Sequence, residues 1–65
     1  MKKEFVIIKK DNTPLMFSDN VVIVYNSLTS ARNDFDAMWD KTIVTLNEYK
    51  SNKEYKQFNL FSFEV

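Results

Sequence analysis

The run Phe5-Val6-Ile7-Ile8 sets apolar side chains at both odd and even positions, the pattern of a strand covered on both faces and therefore central in its sheet. It predicts a strand over 4–10. Asp11-Asn12-Thr13-Pro14 then breaks the chain, because Asn tolerates left-handed backbone and Pro forbids helix just before it. Leu15-Met16-Phe17 predicts a short strand over 14–17, and Ser18-Asp19-Asn20 a second turn with Asn20 in the left-handed position. Val21-Val22-Ile23-Val24-Tyr25 is the most β-prone stretch and predicts a strand over 21–26. The three strands are expected to form a meander.

After Tyr25 the period changes. Ser27 offers a hydroxyl as N-cap. On a helix, Leu28, Ala31, Phe35, Met38, Trp39 and Thr42 fall within about 100° of arc, with Asn33, Ala37, Asp40 and Lys41 opposite. The spacing predicts an amphipathic helix over 28–41, laid on one face of the sheet with that stripe as core. Thr42-Ile43-Val44-Thr45 is β-branched throughout, which predicts a short strand. Thr45-Leu46-Asn47-Glu48 matches a capping box and predicts a second helix over 46–53 that buries Leu46 and Tyr49. The alternative is a hairpin, with 42–49 and 54–64 as strands around Lys50-Ser51-Asn52-Lys53. The chain closes with a strand over 58–65, where Phe61, Phe63 and Val65 share one face and Phe58 and Leu60 the other. The faces exchange character near residue 60, so either a bulge sits there or the strand is covered on both sides. The expected fold is a single α+β domain spanning 1–65: a small, mainly antiparallel sheet, one helix across a face, a shorter helix and a C-terminal strand.

Composition narrows the chemistry. The 65 residues include no Cys, no His and no Gly. That removes disulfides and thiol chemistry, the commonest general base and metal ligand, and glycine-rich phosphate loops. No serine has a base to activate it. A catalytic function is therefore not expected, and neither a cofactor nor a metal is assigned. With 45% hydrophobic residues the chain is not a disordered segment. Its apolar runs fall far short of the roughly 18 residues a membrane span needs, and the four-residue run after Lys2-Lys3-Glu4 is too short for a signal-peptide core. The expected location is the cytoplasm. A core this small is marginal by itself. Either the aromatics pack efficiently, or a second chain buries part of the apolar surface.

Three clusters are candidate sites. Asp34, Asp36 and Asp40 gather on the predicted helix, with Asn33 and Arg32 beside them. They form a metal site, a negative docking patch, or a solvated face with an Arg32–Asp36 pair; the spacing lacks the alternation and Gly turn of a calcium loop. Lys2, Lys3, Lys9 and Lys10 bracket the first strand, where lysines ordinarily protect edges. Nine Lys plus Arg against nine Asp plus Glu give no net charge, which speaks against nucleic-acid binding. The aromatics of the last strand, Phe58, Phe61 and Phe63, exceed what one helix layer covers. They mark either an interface or a strand buried in its own sheet.

In its layout, from Phe5 through the Asp-Asn-x-Pro turn to Phe35, and in its Lys- and Asn-rich vocabulary, the chain resembles small accessory proteins of phages and mobile elements of AT-rich bacteria. The resemblance implies an origin and a manner of action, by binding host factors such as defence enzymes, but no site residues. The expected function is a non-catalytic protein-binding module that occludes a host protein stoichiometrically. Contacts are expected at Asn33, Asp36 and Asp40, or at Phe61 and Phe63. The alternative is a homodimer paired through the terminal strand.

Overall fold

A computed structural model describes residues 3–64. Met1, Lys2 and Val65 lie outside the described residues, and with them Lys2 of the lysine bracket and Val65 of the last strand's apolar face. The order of elements is β1 (Phe5–Lys9), β2 (Met16–Ser18), β3 (Val21–Tyr25), α1 (Leu28–Asp34), β4 (Asp40–Thr45), α2 (Leu46–Ser51) and β5 (Leu60–Glu64). The fold is α+β, as the alternation and the two helix caps imply.

The sheet has five strands. β1 pairs antiparallel with β4 from Phe5↔Thr45 to Lys9↔Asp40, with a register shift between Ile8 and Lys9. β3 takes β5 in parallel along one whole edge, Val21↔Leu60 to Tyr25↔Glu64. Its other edge is divided: Tyr25 faces Phe5 of β1, while Val21 and Val22 face β2. At the fork sits Leu15, whose N–H donates to the Ile7 carbonyl (2.8 Å) and whose carbonyl accepts from the Ile23 N–H (3.0 Å). The three strands thus depart from a simple meander. β1 and β3 pair directly at one end and splay at the other, and Leu15 fills the opening. The turns before and after β2 place Asn12 and Asn20 at φ 65° and 63°, left-handed positions that Asn fills in a chain without Gly.

β4 is antiparallel to β1, and β1 to β3. So β3, β4 and β5 all run the same way, and β3–α1–β4 and β4–α2–β5 are crossovers in opposite directions across the sheet. A common hand for both demands that they use opposite faces, and they do. On one face Val6, Ile8, Val22, Val24 and Val44 pack with Leu46 and Tyr49 of α2. On the other, Ile7 and Tyr25 pack with Ala31 of α1, joined by Phe5, Leu15, Ile23, Phe35 and Ile43. β1 therefore buries both parities, as its unbroken apolar run requires.

Residues 46–51 are helical, so the hairpin alternative does not form; Thr45 Oγ1 accepts the Glu48 N–H at 3.1 Å. Beyond α2 the chain crosses back without regular structure, and Tyr49 pins it. The fully buried Tyr49 hydroxyl donates to the Lys56 carbonyl (2.6 Å) and accepts from the Phe58 N–H (2.9 Å). Its ring stacks on Tyr55 at 6.4 Å. Gln57 Nε2 adds bonds to the Tyr49 and Asn52 carbonyls at 2.8 and 3.1 Å. Among the described residues no helix is long and apolar enough to cross a membrane.

Replacing Tyr49 by Phe keeps the packing but leaves the Phe58 N–H and the Lys56 carbonyl without that partner. The expected loss is about 1–3 kcal/mol, measured as a lower urea midpoint with unchanged slope.

Candidate functional site

The first helix is half the length its apolar spacing predicts. α1 is seven residues, Leu28–Asp34, and Phe35 is already extended at φ −70° and ψ 127°. Three features of the sequence end it. Asn33, Asp34 and Asp36 carry side chains that compete with helical backbone bonds. Asp40 would also sit in the last, negative turn of a helix running to residue 41. Finally, the aspartates find better partners outside a helix. Asp36 Oδ1 accepts the Met38 N–H (3.0 Å), and Asp40 Oδ2 accepts the Asp36 N–H (2.8 Å). The Asp36 carbonyl takes both the Trp39 and the Asp40 N–H, at 3.0 and 2.7 Å.

This tight turn replaces two helical turns and changes what the apolar stripe does. Phe35 remains packed against the sheet. Met38 and Trp39, expected in the core, are instead 69% and 66% exposed. The Trp39 carbonyl accepts the Lys10 N–H at 3.0 Å, so its backbone is fixed while its ring stands in solvent.

Between the turn, the end of α1 and the β1–β2 connection lies an open cleft of about 530 Å³. Its walls are Asp34, Asp36, Trp39 and Asp40 on one side and Lys9, Lys10, Asp11 and Leu15 on the other. Four carboxylates against two ammonium groups give it a negative balance. Most of those carboxylates are engaged locally. Asp34 Oδ2 accepts the Tyr25 hydroxyl at 2.7 Å. Burial, then the bond to Asp34, pushes the Tyr25 phenol well above its ordinary range. Asp11 Oδ1 accepts the Thr13 N–H at 3.0 Å, and those bonds to Thr13 hold its carboxyl below the usual value. The cleft is thus an open concavity rich in carboxylates with one exposed aromatic ring, Trp39, on its wall. Among the described residues, no three Asp or Glu side chains converge as a metal-holding group.

The sequence-predicted contact residues divide. Asn33 is exposed on α1 and lines a smaller groove of about 230 Å³ with Tyr25, Ser30, Asp34 and Glu64. Asp36 is exposed in the turn, but Asp40 is only 5% exposed and begins β4. Asn33, Asp36 and Asp40 therefore do not share a helix flank, and the Arg32–Asp36 spacing of one helical turn does not exist. Phe61 is partly buried against the α2-side core, with Lys50 Nζ 5.3 Å from its ring centre. Phe63 is 54% exposed and Leu60 59%, on a strand that is an edge of the sheet. Met38 and Trp39 are the residues that periodicity alone misplaces; the aspartates at 36 and 40 around them carry the signal of a turn.

No protein-family model, curated protein or solved structure matches this chain.

Trp39→Ala should change stability by less than about 1 kcal/mol, where a core tryptophan would cost about 3–5 kcal/mol; a urea melt decides between them. Tyr25 holds its proton more tightly when folded than when unfolded. Its contribution is complete below about pH 10 and is lost as pH rises toward the raised folded value. Stability should therefore fall on the alkaline side. Tyr25→Phe should be less stable at neutral pH but lose less between about pH 9 and pH 11, as compared by urea midpoints at the two values.

Proposed function

We propose that this chain is a non-catalytic protein-binding module, a phage- or mobile-element-encoded modulator that acts in the host cytoplasm by stoichiometric occlusion of a host enzyme or defence protein. One observation carries the reading: an exposed tryptophan on a rigid backbone beside an open cleft. Large aromatic side chains seated at the rim of a concavity are the usual anchors of protein interfaces. The carboxylates around it support the same reading, because Asp34, Asp36 and Asp40 serve as acceptors for a tyrosine hydroxyl and backbone amides. Groups committed to holding a turn are poorly placed to move protons. The lack of histidine and cysteine agrees with this. Asp36 and Trp39 would meet the partner, and Asp40 would support them from beneath.

The test is affinity capture from a lysate of the bacterial host with the tagged chain, beside Trp39→Ala. The expected result is one host protein retained at one-to-one stoichiometry, bound about 30-fold more weakly by the variant, as an anchor worth about 2 kcal/mol implies. Equal retention by both chains would refute the anchor. Salt-sensitive retention of DNA or RNA in place of a protein would refute the module.

A further inference from the structure

The two edges of the sheet are built differently. The β4 edge carries Lys41 at its second residue and lies against a register shift at Ile8/Lys9. A charge and an irregularity are the usual devices that stop another strand from adding. The β5 edge has no irregularity, and its one charge, Glu64, stands at its last residue. Leu60-Phe61-Ser62-Phe63-Glu64 contains no Lys, Arg or Pro, and it pairs without a break along β3. Among the described residues β3 is the only strand it pairs with. Alternate backbone N–H and carbonyl groups on its outer side have no sheet partner, and Leu60 and Phe63 stand mostly exposed beside them.

We infer that this edge pairs antiparallel with β5 of a second copy of the chain, making one continuous ten-stranded sheet about a two-fold axis at Ser62. The occupant is argued from the strand itself, which is complementary to its own reverse. Phe61 and Phe63 lie next to Val22 and Val24, and hence on the α2 side; Leu60, Ser62 and Glu64 lie on the α1 side. Centring the pair on Ser62 overlaps all five residues. It sets Phe61 opposite Phe63 of the copy twice over, Ser62 opposite Ser62, and Leu60 opposite Glu64. Aromatic pairs across a strand stabilise it, and no like charges face each other. A slip of one residue would set aromatics opposite Ser62 or Glu64 and turn the copy over. Lys50, already over Phe61, lies on the same side as the new aromatic cluster, where a cation over a ring is favourable.

The arrangement also closes. A two-fold contact uses the same patch on both copies, and the long outer edges of the joined sheet are then the two β4 strands, beside β2, which at three residues is too short to template a strand. Their lysines and register shifts oppose further growth, so a dimer forms and not a fibre. The contact shares no residue with the Trp39 cleft and does not depend on the proposed function.

Because the chain has no cysteine, one introduced thiol reports its own environment. Opposite residues in an antiparallel pair sit about 4.5–5.5 Å apart at Cα, within disulfide reach. Ser62→Cys should therefore oxidise to a covalent dimer, while Lys41→Cys on the other edge should stay monomeric. Sedimentation equilibrium of the unmodified chain should give twice the 7.7 kDa chain mass. Phe63→Glu and Leu60→Glu should each raise the dissociation constant at least tenfold while keeping the circular dichroism of the parent. A monomeric parent at tens of micromolar, a dimer that survives both glutamate substitutions, or equal cross-linking at Lys41 and Ser62 would overturn the inference. Should the glutamate variants unfold, the cross-linking pair decides, since Ser to Cys barely alters the strand.

Discussion

The chain must cross its own sheet twice with very few residues, and the Tyr49 hydroxyl is what makes the second crossing stable. β4 and β5 run in the same direction but flank β1 and β3, so the connection has to span roughly 14 Å at about 4.8 Å per strand spacing. α2 supplies only six residues of regular structure on that path. The rest carries backbone groups that a helix would have satisfied internally. Tyr49 meets two of them from the core, the Lys56 carbonyl and the Phe58 N–H, and Gln57 folds back onto the end of α2. With that segment fixed, β5 arrives parallel to β3 and Phe61 closes the α2-side core.

The other crossing is looser. α1 rises about 10 Å over its seven residues at 1.5 Å each, half the rise of the 28–41 helix that its apolar spacing predicts. Ala31 is the one residue of α1 that is fully buried, and small enough to let the helix approach Ile7 and Tyr25. The aspartate turn then carries the chain to β4 along the rim of the sheet. The cleft follows from this shortfall, because a longer helix would have occupied the space that the turn leaves open.

What the sequence made legible, and what it hid, divide along the same line. Wherever one local signal acted alone, it was sufficient. The unbroken apolar run of β1 implied two covered faces, Thr45 and Glu48 marked the cap of α2, and Asn20 took the left-handed position in its turn. Where two signals competed, periodicity misled. Leu28, Ala31, Phe35, Met38 and Trp39 keep helical spacing, but spacing states only where side chains would point if the backbone were helical. The aspartates at 36 and 40 decided the backbone, each accepting a backbone N–H in an arrangement that a continuing helix would not present. The sharing of β3's edge between β1 and β2 had no local signature, since it depends on Leu15 contacting two strands that are distant in sequence.

The two exposed apolar surfaces have one origin. In a chain of 65 residues that is 45% hydrophobic, both sheet faces compete for few covering side chains. The α2 face is sealed by Tyr49, Tyr55, Phe58 and Phe61, which leaves Phe63 beyond its margin. The α1 face is sealed by Ala31 and Phe35, which leaves Met38 and Trp39 at its rim. Exposed large apolar groups are a liability for an isolated small domain. Rigid backbone holds both sets: the β3–β5 ladder carries Phe63, and the Asp36–Asp40 turn carries Trp39. Side chains presented in that way lose little further freedom when a partner covers them, and low ordering cost is what turns an exposed aromatic into an effective anchor. The smallness that leaves the core incomplete thus also leaves two apolar surfaces on held backbone, one at the β5 edge and one at a tryptophan beside a cleft.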